Sequence, residues 1–109
     1  MTAKDCIVGR RSIRKFKADP VSHELLSEIV ETASYSPSWK HTQITRYIAV
    51  EGALKDKIAR ECTTMYPPNG DIIAAAPVLM AVTIIKNRSG YERDGSFSTP
   101  RGDGWQMYD

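Results

Sequence analysis

Two cysteines in 109 residues, Cys6 and Cys62, stand far apart and outside any CxxC or histidine-rich setting. That spacing gives little support to a zinc site or a dithiol redox pair, and it leaves two free thiols suited to a reducing cytoplasm. No apolar run approaches the roughly 18 residues that a membrane span needs, and the opening MTAKDCIVGRRS lacks the apolar core of a secretory signal. Neither charge dominates: 15 basic against 13 acidic residues leave a net +2, which gives no ground by itself for a nucleic-acid or membrane partner. Internal repeats, low-complexity tracts and Gly/Ser linkers are also absent, so residues 1–109 read as one compact unit. A chain this short buries a smaller fraction of its surface than a larger one, and association with a second copy would add core.

What is present reads as mixed helix and strand. Thr2 is placed to cap a short helix reaching about Arg10, after which Ser12 to Phe16 looks extended and Pro20 marks a turn. Ser22 is an N-cap, with Val21 placed to pack on Leu26 as a hydrophobic staple. Leu25, Leu26, Ile29, Val30 and Ala33 then repeat at helical spacing and predict a helix that faces the core. Tyr47 to Val50 predicts a short strand, and Leu54, Ile58 and Cys62 predict a helix that Pro67, Pro68 and Gly70 break. A brief helical piece around Ile72 to Ala76 precedes Val78 to Ile85, whose branched apolar run suits a central buried strand. Lys86 to Gly102 reads as a long loop of functional or mobile character. Asp103 then stands where it would cap a new helix opened by Trp105 to Tyr108, and the sequence stops before that helix's apolar face is complete, as though the chain were cut.

The chemistry concentrates in two stretches. Arg10, Arg11, Arg14, Lys15 and Lys17 follow one another with no acid among them. In an extended segment positions 10, 12 and 14 point the same way, so two guanidiniums and the Ser12 hydroxyl converge. Arginine forks match phosphate oxygens, which makes this set suitable for a phosphate or a polar ring edge. From charge alone, a solvated basic face explains the same run. The second stretch, Ser36-Pro37-Ser38-Trp39-Lys40-His41-Thr42-Gln43, follows a helix and combines hydrogen-bonding groups with an aromatic able to lie on a flat ligand.

Taken together, these two stretches resemble the nitroreductase family, which carries an RRSxRxF-like motif followed, after a helix, by a PSxxNxQ-like motif. The likeness extends through Asn69, the small residues before Pro77, the apolar strand after it, and Gly102-Asp103-Gly104-Trp105-Gln106. The resemblance implies an α+β fold: a three-layer arrangement with a mainly antiparallel sheet flanked by helices, here C-terminally truncated. It implies FMN as cofactor, NAD(P)H as co-substrate, and a ping-pong transfer of hydride to nitroaromatic, quinone or related electron-poor small molecules. Arg10, Arg11 and Ser12 would hold the FMN phosphate and ribityl chain, and Arg14 would approach the pyrimidine side of the ring. Pro37, Ser38 and Trp39 would reach the flavin of the partner subunit in a homodimer with FMN at the interface. Asn69 resembles a position that bonds the pyrimidine edge, and a turn-forming asparagine before Gly70 accounts for it equally well. His41 stands where the motif usually has Asn, and a ring cannot copy an amide's paired donor and acceptor.

Hydride transfer through a flavin needs positioning and exclusion of water more than a protein acid or base. No catalytic side chain and no metal ligand is therefore assigned. Gly102-Asp103-Gly104 begins like a dinucleotide fingerprint, but Met107 replaces its third glycine and no strand immediately precedes it. His23 reads as solvent-facing, and Tyr91 and Phe97 as pocket walls. Two other readings stay open: a truncated fragment that binds little or no flavin, and a phosphate or nucleic-acid binding module, for which only Phe16 is interleaved with the basic run.

Overall fold

In a computed structural model, residues 1–109 are described except for the side chains of Met107 and Tyr108. Four helices and a two-stranded antiparallel sheet make an α+β arrangement. Its contacts gather into two units, Met1–Pro20 with Glu51–Leu79, and Val21–Val50 with Met80–Asp109.

The first unit opens with α1, Ala3–Gly9, entered through a reciprocal cap. The Thr2 hydroxyl accepts from the Asp5 amide at 3.2 Å, and Asp5 Oδ2 accepts from the Thr2 amide at 2.8 Å. This satisfies two of the donors that a helix start leaves open, and the Thr2 amide, followed by its hydroxyl, holds the Asp5 carboxyl below its ordinary value. Residues 11–20 form no regular element. Helix α3, Gly52–Glu61, packs on α4, Pro67–Ala75. Here Pro67 and Pro68 begin a helix rather than only breaking one, because a ring without an amide hydrogen loses nothing in the first turn. The helical piece expected from Ile72 thus begins five residues earlier. Asn69 falls in the first turn of α4, its amide on the Tyr66 carbonyl at 3.0 Å, so it is helical and not a turn asparagine.

Close approach of α3 and α4 depends on Gly70. A Cβ there would lie 2.6 Å from the carbonyl oxygen of Ala59 and 2.6 Å from Thr63 Oγ1. The same helix pair buries Lys55, whose ammonium donates to the carbonyls of Ile73 and Ala74 at 3.2 and 2.9 Å and to Asp56 at 3.0 Å.

The second unit contains α2, His23–Ala33, the strand β1, Thr45–Val50, all but the first residue of β2, Leu79–Ile84, and a 3₁₀ segment, Gly102–Tyr108. Ser22 caps α2 as expected, accepting from the Leu25 amide at 3.2 Å. The predicted core-facing stripe is only partly covered: Leu26 is buried, while Leu25 and Ile29 are about half exposed. The two strands form a sheet whose ladder continues from the Ile85 amide to the Ile44 carbonyl. With one neighbour only, β2 is not the buried central strand that its apolar run predicts, and Val82 is exposed. In this chain the apolar run outnumbers the surfaces available to cover it.

The stretch Lys86 to Gly102 is more ordered than a plain loop. Tyr91 and Phe97 form an antiparallel bridge with their rings 5.1 Å apart, around a turn in which Gly95 takes a left-handed φ of 84°. Asp103 does not cap the segment that follows. Its carboxylate accepts from the Asn87 amide at 2.9 and 3.1 Å, and the segment opens as a 3₁₀ turn instead of an α-helix.

Candidate functional site

The arginine segment leaves α1 at Arg10, whose φ of −57° and ψ of 133° turn the backbone from helix to extended chain. All residues from Arg10 to Lys17 are exposed, and among the described residues none of their five cations pairs with a carboxylate. Arg10 Nη1 lies 3.5 Å from Ser12 Oγ, which brings two of the predicted site residues together. Arg11 turns back on the chain, donating to the carbonyls of Val8 and Arg10 at 3.0 and 2.9 Å, where it satisfies oxygens that the end of α1 leaves open. Arg10 and Arg14 remain as guanidinium forks without an acid. A donor-only set of this kind suits phosphate oxygens. Asn69, in the same unit, is exposed on α4.

The second unit presents the loop after α2. Pro37, Ser38 and His41 line one cavity of about 590 Å³ together with Gln43, Gln106 and Asp109. Trp39 does not line it. Its ring stacks on Trp105 at 4.9 Å with the planes 23° apart, a geometry typical of aromatic pairs. Lys40 and Arg101 place their cations 5.9 and 5.5 Å from the Trp39 and Trp105 rings. Tyr91 lines a second cleft of about 710 Å³ beside Lys40, His41 and Arg88, whereas Phe97 packs against Tyr91.

Backbone geometry explains the residue types in the loop. His41 and Gln43 hold φ of 53° and 54°, a left-handed conformation that Asn, Asp and His adopt several-fold more readily than most residues. The asparagine usual in the motif and the histidine present here share that tolerance. The rings and amides also meet, with His41 Nε2 3.2 Å from Gln43 Nε2.

Sequence reading missed Asp109, Lys40, Glu92 and Ser98. Asp109 Oδ1 accepts from Ser38 Oγ at 2.7 Å, from the Lys40 amide at 3.0 Å and from the Thr42 amide at 3.2 Å, while Oδ2 accepts from Thr42 Oγ1. Burial works against its charge, but Ser38 and the Thr42 and Lys40 amides outweigh burial and hold the carboxyl below its ordinary value. Lys40 Nζ donates to the Tyr91 carbonyl, Glu92 and Ser98 at 3.0, 3.2 and 2.6 Å. The Ser98 hydroxyl, followed by Lys40, lowers the Glu92 pKa. The partners of Lys40 and Asp109 lie 51 to 71 positions away in sequence, so no local pattern announces them.

Residues 7–71 match the Nitroreductase family. A Bacillus subtilis (strain 168) protein named as an NAD(P)H nitroreductase, YfhC, is 45% identical over 47 residues, covering 43% of this chain and 24% of that protein. Nitroreductase NfnB of Mycolicibacterium smegmatis is 34% identical over 59% of this chain and 27% of its own length. Nitrobenzene nitroreductase of Ectopseudomonas oleovorans is 34% identical over 57% of this chain and 27% of its own. The chain thus spans about a quarter of the length of these curated relatives. The family match takes in both the arginine segment and the loop after α2, and the chain belongs to the nitroreductase family.

Proposed function

We propose that this chain serves an FMN-dependent oxidoreductase that passes hydride from NAD(P)H to nitroaromatic, quinone or related electron-poor small molecules. The observation that carries this reading is the acid-free Arg10–Lys17 run, lying within the family match and holding two guanidiniums free for an anion. Arg10 and Ser12 would hold the phosphate and ribityl chain, with Arg11 beside them, and Arg14 would face the pyrimidine ring. FMN, when bound, would supply the redox chemistry, a ping-pong relay of hydride between NAD(P)H and the acceptor. The protein's part is positioning: a fixed guanidinium near the pyrimidine stabilises the negative charge of a reduced flavin. Asn69 would bond the pyrimidine edge.

The loop residues Pro37, Ser38, Trp39 and His41 would reach the cofactor of a second copy, giving a homodimer with FMN at the interface. Exposed apolar groups leave room for such a partner: Leu25, Ile29, Tyr47, Ile48 and Val82 are all exposed in one chain, and a second copy would cover part of that surface. The fold that goes with this reading is the three-layer arrangement of helices on a mainly antiparallel sheet. No helix of the described residues is long and apolar enough to cross a membrane, and two exposed thiols, Cys6 and Cys62, suit a reducing cytoplasm.

The same exposed surface favours a second reading, a fragment that binds little flavin without further covering. The visible spectrum of the purified chain after dialysis against excess FMN separates the two. About one flavin per chain supports the oxidoreductase, and none supports the fragment. Flavin content unchanged in the R10A/R14A double variant would sink the phosphate assignment.

A further inference from the structure

The loop Pro37 to Gln43 has no regular element, and its backbone donors must be satisfied in some other way. The amides of Lys40 and Thr42 donate to Asp109 Oδ1 at 3.0 and 3.2 Å, and the amide between them, from His41, donates to Ser38 Oγ at 2.9 Å. Ser38 Oγ in turn donates to the same Asp109 oxygen at 2.7 Å. Three successive amides therefore end on one carboxylate, directly or through one hydroxyl. With His41 left-handed, this curved backbone is an anion-binding concavity, and Asp109 occupies it. Asp109 and the neighbouring Ser38 and His41 also line the cavity of about 590 Å³.

We infer that Asp109 is the positioning residue of this loop, fixing Ser38 and His41 in the arrangement they present to a ligand. The role toward flavin rests on the reading proposed above. Asp109 acts through the loop and is assigned no contact with a reacting atom. The Trp39–Trp105 stack makes a second link from the loop to the segment that leads into Asp109. It fixes the aromatic ring but satisfies none of the three amides.

The test uses the full chain with D109A and the isosteric D109N, read first by amide hydrogen exchange. Exchange at Lys40, His41 and Thr42 should rise at least tenfold in D109A, with D109N between it and the parent. The Ile85 amide, held by the Ile44 carbonyl, should stay unchanged as the internal reference. Unchanged exchange at Lys40 and Thr42 overturns the inference. Should D109A fail to fold, S38A reads the same link: faster exchange at His41 supports it, and unchanged exchange overturns it. The second reading is an FMN titration, in which D109A should bind at least tenfold more weakly than the parent, and equal affinity overturns the role toward flavin. A parent chain that binds no FMN defeats the flavin reading, while the exchange rates still decide whether Asp109 holds the loop.

Discussion

The Nζ of Lys55 donates to the carbonyl oxygen of Ala74 at 2.9 Å, joining α3 to the C-terminal end of α4 by a side chain that is only 7% exposed. The last carbonyls of a helix have no partner within it, and a buried ammonium at that end satisfies them while matching the negative pole of the helix. K55M, which keeps the stem and removes the donors, should cost about 1–3 kcal/mol because the Ala74 carbonyl is left unpaired and Ile73 keeps only its bond from the Ala76 amide. Urea unfolding checks this, and a loss below measurement error would show that water replaces the ammonium.

Gly70 sets the spacing of the same two helices. G70A should destabilise the first unit by about 1–3 kcal/mol, since a methyl 2.6 Å from the Ala59 carbonyl forces the backbones apart. Thermal unfolding reads the loss. Adding T63A should recover only part of it, because the clash with the Ala59 carbonyl remains.

Gly90 tolerates less. Its Cβ would lie 1.9 Å from the carbonyl oxygen of Gly102, backbone against backbone, so G90A should dismantle the turn around Tyr91 and Phe97. Limited proteolysis should then cut within residues 86–102 at protease levels that leave the parent intact. Equal resistance would mean that the two backbones separate without cost.

At His41 the backbone decides which replacements fit. H41N should leave stability within about 0.5 kcal/mol, whereas H41V, branched at Cβ, should cost about 1–3 kcal/mol for a left-handed non-glycine position. Chemical denaturation of the pair checks the difference. Equal stability of H41V and H41N would remove backbone conformation as the reason for the residue type.

The loop should also depend on pH in a defined direction. Burial opposes the Asp109 charge, but its donors outweigh that and depress the folded pKa below the ordinary aspartate value of 3.8. A depressed carboxyl contributes stability that is complete above its unfolded pKa and is lost as pH falls through the folded one. Amide exchange at Lys40 and Thr42, corrected for the intrinsic effect of pH, should therefore accelerate below about pH 4. D109N should show no such acceleration.

Local features of the sequence determined much of the fold. Thr2 and Ser22 start their helices because a hydroxyl and the amide three residues on are neighbours in any chain that turns helical there. Both strands follow from apolar runs that include branched residues, and the arginine segment is visible because five cations fall within eight residues with no acid among them. Other choices belong to the tertiary structure. The apolar stripe of α2 identifies a face but not what covers it, so Leu25 and Ile29 stay half open in one chain. Asp103 has the chemistry of a cap, yet the Asn87 amide, 16 positions away, comes close enough to take its carboxylate. Asp109 becomes the anchor of Ser38, Lys40 and Thr42 only when folding closes a separation of 67 to 71 residues. Spacing along the chain is enough for bonds across one helical turn. A carboxylate that gathers donors from a distant loop depends on where the backbone between them goes.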